Sequence, residues 1–234
     1  MKLTIVIPCY NEEKNIPLIL EKFNEVIKNE ELEVILVDNG SNDKTQEVLK
    51  ELLPLYSFVR TIKVDLNKGY GYGIIAGLKN ADGEFLGWTH ADMQTDPMDI
   101  KKSYDILEKN DWDKNIFIKG RRKNRPFFDN FFSVGMSIFE SILMRSSLYE
   151  INAQPTIFSR EFFLKWDSPP DDFSLDLYSL YLAKLNKMNI IRFDVLFPKR
   201  VYGESKWNTG LKSKWKFIKR TINFSFELKK KGVK

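Results

Sequence analysis

Three oxygen-bearing side chains lie within five positions of one another, at Asp92, Gln94 and Asp96. They follow the short apolar run 85–88, which has the pattern of a buried strand, and they precede Pro97, which opens a helical pattern. The stretch is therefore expected at a strand's carboxyl end, where open α/β sheets bind their ligands. Because hard divalent cations prefer oxygen ligands, often together with a phosphate, we predict a metal or ligand site at Asp92 and Gln94. Asp96 and Pro97 are sufficiently explained as the N-cap and first residue of a helix.

Strand and helix patterns alternate through the first half of the chain and would position these residues. Apolar runs typical of buried strands occur at 3–8, 33–37, 58–64 and 85–88, with helical patterns between them at 12–27, 44–53 and 74–79. This alternation implies right-handed crossovers and an α/β fold with a mostly parallel central sheet flanked by helices. Asn11 is the expected cap of the first helix, with Glu12 and Glu13 in its first turn.

A glycine-rich run from Asn67 to Gly73 follows the third predicted strand. Its spacing, G-x-G-x-G, differs from the dinucleotide-binding fingerprint, which needs G-x-G-x-x-G directly after the first strand. A Rossmann dehydrogenase is therefore set aside. We expect these glycines to let the backbone approach a ligand or a neighbouring loop closely.

The composition restricts the class of protein. A length of 234 residues with 43% hydrophobic residues suits one globular domain, and no apolar run is long enough to span a bilayer. The single Cys9 fits a reducing compartment, and one Cys with one His excludes a Cys/His zinc site. The net charge of +5 is concentrated after residue 210, where nine Lys/Arg and one Glu leave −3 for residues 1–210. Nucleic acid is therefore not an expected partner.

Five short motifs occur in the order shown by family 2 glycosyltransferases. They are Pro8-Cys-Tyr-Asn-Glu12, Val37-Asp38-x-x-Ser41-x-Asp43-x-Thr45, Asn67-x-Gly69, Ala91-Asp92-x-Gln94 and Arg200-x-x-Gly203-x-Ser205-Lys206. Between residues 3 and 207 the chain resembles this family, and most closely its branch of dolichol-phosphate mannose synthases and bacterial polyprenyl-phosphate sugar transferases. The resemblance implies a GT-A fold over residues 1–210, a nucleotide-sugar diphosphate donor and a divalent cation, Mn²⁺ or Mg²⁺.

The resemblance also implies roles for single residues on the donor side. The residues expected to bind the donor are Pro8, Tyr10, Glu12, Asp38, Asn67, Gly69, His90, Asp92 and Ser205. Asp92 and Gln94 match the family's metal-binding positions. Arg200 and Lys206 are expected to neutralise charge on the departing nucleotide, which makes them catalytic candidates together with Asp92.

His90 stands where the family usually carries the first Asp of an Asp-x-Asp motif. An imidazole can bind Mn²⁺ but suits Mg²⁺ poorly, and it removes one negative charge from the site. Two roles are open for it. It either binds a metal at a site biased toward Mn²⁺, or it donates a hydrogen bond to ribose or phosphate.

A basic loop is predicted from Lys119 to Pro126, after a strand at 116–119 and before four phenylalanines between 127 and 132. A run of charge is usually a solvated face. Arg side chains also bind phosphate oxygens, however, and exposed aromatic clusters indicate contact with a membrane or an apolar ligand. Related enzymes contact the acceptor phosphate in this region, so Arg121 and Arg122 are the candidates for that role.

Asn152 and Gln154 stand where relatives often carry an Asp. Their amides could bind acceptor hydroxyls, but the missing carboxylate puts an acid/base role of this loop in doubt. In other branches of the family a carboxylate near residue 172 is the catalytic base, which makes Asp172 the reserve candidate. A phosphate acceptor is already anionic and needs no base, whereas a saccharide hydroxyl does.

Two helical patterns in the second half point to surfaces. Residues 131–143 are apolar nearly all round, which is typical of a core helix or of one covered by a second subunit in a homo-oligomer. Residues 211–234 repeat apolar positions such as Trp215, Ile222 and Phe226 among lysines. They are predicted to form a basic amphipathic helix that packs on the domain or lies on an anionic membrane.

These features predict a metal-dependent glycosyltransferase that moves a sugar, with inversion, from a nucleotide diphosphate to a lipid-linked acceptor, polyprenyl phosphate. The expected location is the cytoplasm, at the cytoplasmic face of a membrane. Two alternatives are open. One is transfer to a saccharide hydroxyl, and the other is a catalytically weak nucleotide-sugar-binding protein, which is suggested by His90 and by the missing Asp near Asn152.

Overall fold

A computed structural model describes residues 1–28, 30–123, 127–198, 200–202 and 211–230 of the chain. Side chains are described from Val134 onward in the fifth helix, and at Trp215 and from Ile218 onward in the last helix. Arg125, Ser205 and Lys206, and the side chains of the four phenylalanines between 127 and 132, lie outside this part. None of the helices described is long and apolar enough to cross a bilayer.

The residues described contain seven strands, which form one central sheet. The strands are β1 (Leu3–Cys9), β2 (Leu32–Asn39), β3 (Val59–Val64), β4 (Phe85–Trp88), β5 (Ile116–Lys123), β6 (Thr156–Ser159) and β7 (Asn189–Leu196). Their order across the sheet is β3-β2-β1-β4-β6-β5-β7, and β6 is antiparallel to both of its neighbours while the other pairs are parallel. The prediction of a mostly parallel sheet is confirmed. The carboxyl ends of six strands and the start of β6 therefore share one edge.

Within the described part of the chain, eight α-helices flank the sheet. They are α1 (Ile16–Val26), α2 (Thr45–Leu52), α3 (Tyr70–Lys79), α4 (Pro97–Lys109), α5 (Phe127–Met144), α6 (Arg160–Phe163), α7 (Ser174–Leu185) and α8 (Leu211–Lys230). One face of the sheet packs on α1 and α4 through residues such as Leu20 and Leu107. The other face packs on α3, α7, α5 and α8 through residues such as Leu78 and Leu180. Each fully buried side chain of this size contributes about 1.5–3 kcal/mol relative to exposure.

The predicted start of the first helix is wrong. The helix begins at Ile16, and no acidic residue lies in its first turn. Asn11 instead adopts a left-handed backbone conformation with φ of 58°, and its side-chain oxygen accepts a hydrogen bond from the Asn42 amide. Asn tolerates this conformation better than most residues, so the segment forms a loop that bonds to the chain after β2.

Two other boundaries also differ from prediction. The third helix begins at Tyr70 rather than at Ile74, so two of the glycines lie inside its first turns. β5 continues to Lys123 because it pairs with β7 along its whole length, as far as Lys123 opposite Leu196. Arg121 and Arg122 therefore lie on a strand and not in the predicted loop. The cap of α4 is as predicted, since the Asp96 carboxylate accepts from the Met98 amide.

Candidate active site at the carboxyl edge of the sheet

The loops after β1 and β2 are joined by hydrogen bonds between backbone and side chains. The Asn11 amide donates to the Ser41 hydroxyl at 3.0 Å, and the Glu12 amide donates to the Thr45 hydroxyl at 2.9 Å. Asp38, which is 3% exposed, accepts from the Ser41 amide at 3.0 Å. Residues from the first two motifs are thus brought together at the same edge of the sheet.

The glycine motif lies against the segment that precedes α7. Gly69 has φ of 138°, a conformation that favours glycine, and a Cβ added there would collide with the Asp171 carbonyl. Asn67 supports the turn, since its side-chain oxygen accepts from the Gly69 amide at 3.0 Å. The Asn39 amide group donates to the Gly69 carbonyl at 2.9 Å. The expectation of a close approach to a neighbouring loop is confirmed.

Arg200 bonds to both side chains predicted to hold a metal. Its Nη2 lies 2.9 Å from Asp92 Oδ2, and its Nε donates to Gln94 Oε1 at 3.1 Å. The Gln94 side-chain nitrogen donates to the Pro198 carbonyl at 2.8 Å, which ties the segment after β7 to the tip of β4. Residues that are more than 100 positions apart in the sequence thus form one charged cluster.

Burial changes the protonation of groups around this cluster. Burial lowers the pKa of His90 more than the Asp92 and Asp176 carboxylates raise it, which favours a neutral imidazole. Burial has the opposite effect on the carboxyl group of Glu12 and raises its pKa. Asp92 raises the pKa of Glu12 further, while Arg200 lowers it. Glu12, His90 and Asp92 therefore share one electrostatic environment with Arg200. Such perturbed groups at a strand edge are typical of functional sites.

The donor set at this edge fits a hard divalent cation that receives further ligands from its substrate. Within the residues described, no three His, Cys, Asp or Glu side chains gather into a metal-binding group. Asp92 and Gln94 nevertheless supply a carboxylate and an amide oxygen, and the neutral imidazole of His90 lies nearby. Mg²⁺ and similar ions are commonly held by one or two carboxylates together with phosphate oxygens and water. The residues present match that arrangement.

The two arginines that were expected to bind the acceptor have different surroundings. Arg122 has a side chain only 9% exposed, and its Nε donates to Glu150 at 2.8 Å. It lies on the part of β5 that extends beyond Lys119, the residue that pairs with Thr156 beside the end of β4. Arg121 is 48% exposed and pairs with Asp194 on β7. Of the two side chains, Arg122 is therefore the buried one and Arg121 the one at the surface.

Gln154 is inside the protein rather than at its surface. It is 2% exposed, and its side-chain nitrogen donates to Asp176 at 2.8 Å and lies 3.4 Å from the Tyr70 hydroxyl. Asp176 also lies 3.6 Å from Lys119, and both side chains have an exposure of 1% or less. Asn152 lies two positions before Gln154 and is half-buried.

Lys119, Asp176 and Tyr70 were not among the residues expected from the sequence. One signal for Lys119 was present, because a lysine interrupts an apolar run that reads as a strand buried on both faces. No comparable signal identifies Asp176. It lies in the first turn of α7, where carboxylates are common because they interact favourably with the helix dipole.

Asp172 is held by two interactions within the protein. Its Oδ1 accepts from the Ser174 amide at 2.7 Å, and its Oδ2 lies 2.8 Å from Arg220 Nε on α8. The first interaction satisfies a backbone donor at the start of α7, and the second joins α7 to the last helix. Neither interaction depends on a ligand.

A family model described as Glycosyl transferase family 2 matches residues 4–155, which is more than half of the chain. The chain belongs to glycosyl transferase family 2. The matched region includes four of the five motifs, with Asp92, Gln94 and His90 among its residues. The family 2 assignment accounts for the concentration of polar motifs at one edge of the sheet.

Two curated relatives illustrate the similarity. The undecaprenyl-phosphate 4-deoxy-4-formamido-L-arabinose transferase of Proteus mirabilis is 35% identical over 117 residues, covering 45% of this chain and 36% of that protein. The dolichol-phosphate mannosyltransferase of Pyrococcus furiosus is 32% identical over 139 residues, covering 58% of this chain and 39% of that protein. The matches thus span well under half the length of these relatives.

Two solved structures share the fold. A mannosyltransferase from Pyrobaculum calidifontis, in complex with GDP-Man and Mn²⁺, superposes with a TM-score of 0.65 at 19% identity, covering 86% of this chain and 58% of that chain. Glucosyl-3-phosphoglycerate synthase from Mycobacterium tuberculosis, in complex with Mn²⁺, UDP and glucosyl-3-phosphoglycerate, gives a TM-score of 0.71 at 14% identity, covering 94% and 77%. The family 2 chain therefore has the GT-A fold that the resemblance implied.

Proposed function

We propose that this chain is a metal-dependent glycosyltransferase that transfers a sugar from a nucleotide diphosphate to a lipid-linked acceptor, polyprenyl phosphate. The observation that carries the proposal is the contact of Arg200 with Asp92 and Gln94 at the carboxyl edge of the sheet. Two curated relatives are named as transferases acting on undecaprenyl phosphate and dolichol phosphate, and two similar structures hold a nucleotide with Mn²⁺. These names and titles support the choice of donor and acceptor class.

The donor would lie across the tips of β1, β2 and β4. Nucleoside contacts are proposed for residues after β1 and β2, and diphosphate contacts for residues after β4 and β7. The proposed donor-binding residues are Pro8, Tyr10, Glu12, Asp38, Asn67, Gly69, His90, Asp92 and Ser205. Asp92 and Gln94 would hold Mn²⁺ or Mg²⁺, which when bound neutralises charge on the diphosphate.

The proposed reaction is a single displacement at the anomeric carbon. A phosphate oxygen of the acceptor forms a bond to this carbon while the bond to the nucleoside diphosphate breaks, and the electron pair leaves with the diphosphate. Arg200 and Lys206 would stabilise the negative charge that develops on the leaving group. Because the attacking oxygen is already anionic, no side chain has to remove a proton.

Arg122 is the residue proposed to hold the acceptor phosphate. Its guanidinium is largely buried at the carboxyl end of β5 and, in the contacts described, is paired with one carboxylate, that of Glu150. A phosphate that enters could share this guanidinium, because Arg presents several donors in a planar array. We propose that Asn152 contacts the acceptor beside Arg122. Gln154, which is buried, would support this segment from inside the protein.

A transfer assay with a matched pair of variants tests the proposed function. The purified protein, Mn²⁺, a panel of UDP-, GDP- and dTDP-sugars and a polyprenyl phosphate should give a glycolipid. Arg122→Ala should lower the transfer rate about 10- to 100-fold, the effect of losing one charge-assisted hydrogen bond. Arg121→Ala, which removes an exposed pair with Asp194, is the control and should stay within about twofold of the wild-type rate.

Three results would count against the assignment. Transfer only to saccharide hydroxyls would favour the first alternative. Binding of a nucleotide sugar without any transfer or hydrolysis would favour a catalytically weak binding protein. Equal losses in the two arginine variants would remove Arg122 as the acceptor-phosphate ligand.

We also propose that residues 211–234, of which α8 is the described part, are appended to a catalytic domain of residues 1–210 and attach it to the cytoplasmic face of a membrane. α8 packs on the domain through Thr221, Ser225 and Leu228, and it exposes Trp215 and Phe226 beside lysines. The neighbouring α5 exposes an apolar stripe. The stripe consists of Val134, Ile138, Phe139 and Ile142. Apolar surface beside positive charge suits an anionic bilayer.

Vesicle flotation tests the membrane proposal. Anionic vesicles should bind the protein at low salt and release much of it at high salt, because surface attraction is screened beyond roughly 8–10 Å at physiological ionic strength. Ile138→Ser/Ile142→Ser should weaken binding, while Leu55→Ser, an exposed leucine beside β3, is the matched control. Light scattering that shows a stable dimer, together with no vesicle binding, would assign the stripe to a second copy of the chain.

A further inference from the structure

Four polar side chains beneath the acceptor side form a closed ring with almost no exposure to solvent. Lys119 Nζ donates to Thr156 Oγ1 at 2.7 Å, and Thr156 Oγ1 donates to Gln154 Oε1 at 3.0 Å. Gln154 Nε2 donates to Asp176 Oδ1 at 2.8 Å, and this oxygen lies 3.6 Å from Lys119 Nζ. The four exposures are between 0% and 2%. The ring therefore connects β5, β6 and α7 through interior side chains alone.

Burying a charged pair costs free energy that well-packed apolar side chains of the same size would not cost. The interior lowers the pKa of Lys119 to about 8 through burial, although Asp176 raises it. An apolar pair could fill this space, but it could not accept from Gln154 Nε2 or donate to Thr156 Oγ1, which in turn donates to Gln154 Oε1. The pair is thus suited to fixing the orientation of that amide.

The ring is connected to the site in two directions. Gln154 Nε2 lies 3.4 Å from the Tyr70 hydroxyl, and the Tyr70 ring lies 5.8 Å from the His90 ring. On the other side the Gly120 amide donates to the Pro155 carbonyl at 3.1 Å, and a Cβ at Gly120 would collide with the Gln154 carbonyl. The backbone that carries Gln154 is therefore pressed against the strand that continues into Arg122.

We propose that Lys119 and Asp176 are positioning residues that hold Gln154, and through it the acceptor side of the site, in register with His90. The inference rests on the proposed function, because it assigns the pair to acceptor rather than donor binding. Lys119 and Asp176 themselves are too buried to touch either substrate. Their effect passes through the ring to the segment 152–156, to Tyr70 and to the end of β5.

Two variants separate positioning from plain structural support. Lys119→Met/Asp176→Leu removes both charges together and should retain much of the wild-type resistance to urea, because no charge is left unpaired. Thr156→Val keeps both charges but removes two hydrogen bonds of the ring, the one from Lys119 and the one to Gln154. In both variants we expect the KM for polyprenyl phosphate to rise about tenfold, which corresponds to about 1.4 kcal/mol. The KM for the nucleotide sugar should stay within about twofold.

Hydrogen exchange supplies a readout that needs no turnover. The peptide that covers residues 150–158 should exchange faster in both variants, while the peptide that covers residues 33–45 should exchange as in the wild-type protein. Ser103→Ala is the matched control, since it removes another buried hydroxyl that bonds only within α4. It should change neither KM.

The outcomes distinguish failure of the proposed function from failure of the positioning role. If the wild-type protein transfers no sugar to polyprenyl phosphate, the proposed function fails and the positioning role fails with it. If the wild-type protein is active and Thr156→Val has a wild-type acceptor KM, only the positioning role is overturned. An equal rise of both KM values would also overturn it, because that pattern indicates general damage to the site.

Discussion

The two sides of this site, proposed to bind the donor and the acceptor, are built in different ways. On the donor side, loops after neighbouring parallel strands hold one another by short polar contacts, such as the Asp38 carboxylate accepting from the Ser41 amide. On the acceptor side, the side chains proposed to position the site are buried and come from distant parts of the sequence, as Lys119 and Asp176 do. The first arrangement gathers carboxylates and an imidazole at the carboxyl edge of the sheet. The second fixes side chains that have almost no exposure to solvent.

Asp92 offers the largest expected effect and tests the donor side alone. We predict that Asp92→Asn keeps the fold and lowers transfer about 10³-fold, the upper range for the loss of one preorganised electrostatic group. The physical reason is that the variant removes the one carboxylate assigned to the cation. Mn²⁺-dependent binding of the donor, followed by thermal shift, should disappear with it.

A neighbouring carboxylate is the control for this prediction. Asp96→Asn changes a side chain four positions later that caps α4, and Asn is itself a good cap. Its transfer rate and metal response should match those of the wild-type protein. An unchanged metal response in Asp92→Asn would refute the assignment of Asp92 as a ligand.

Arg200 has the next largest expected effect. Its removal should lower the transfer rate and raise the affinity for Mn²⁺. Arg200→Ala should lower transfer about 10²-fold because the departing diphosphate loses a cation. The same change releases Asp92 and Gln94 from the guanidinium, so Mn²⁺ should bind more tightly in the absence of nucleotide. Titration of free Mn²⁺ by electron paramagnetic resonance measures this second effect directly.

A matched substitution sharpens the expectation for Arg200. Arg200→Lys keeps a positive charge but cannot reach two acceptors with a planar fork, so both effects should be intermediate. Weaker Mn²⁺ binding in Arg200→Ala would show that the arginine supports the metal site instead of competing for its ligands.

The donor side was largely predictable from the sequence, because its signals are local. Short polar motifs directly after apolar runs place Asp38 and Asp92 at strand ends, and parallel strands bring those ends to one edge. The failures there concern the backbone. Asn11 was expected to cap a helix, but its left-handed conformation and its bond to the Asn42 amide form a loop instead.

The acceptor side was predictable only in part, because its contacts join distant segments. The basic run was recognised, but pairing with β7 turned its first half into strand and left Arg121 and Arg122 in different surroundings. Nothing in the local pattern shows that Lys119 meets Asp176, 57 positions later. The contact of Arg200 with Asp92 escapes local patterns for the same reason.

Asp172 carries the smallest expected effect and decides between the two kinds of acceptor. This carboxylate makes two interactions that need no substrate. It accepts a hydrogen bond from the Ser174 amide and forms an ion pair with Arg220. Asp172→Asn keeps an oxygen for the first interaction and loses the charge for the second. Because the pair is partly exposed, the free energy of unfolding should fall by about 1 kcal/mol or less, as measured in urea.

The transfer rate of Asp172→Asn should stay within about twofold of the wild-type rate on polyprenyl phosphate. An anionic acceptor needs no base, so removal of a carboxylate should not change the rate at any pH where the acceptor phosphate is ionised. If a saccharide hydroxyl were the true acceptor and Asp172 its base, the variant would lose several orders of magnitude while remaining folded. The comparison of rate with unfolding free energy in this one variant therefore distinguishes a carboxylate that joins two helices from one that takes part in chemistry.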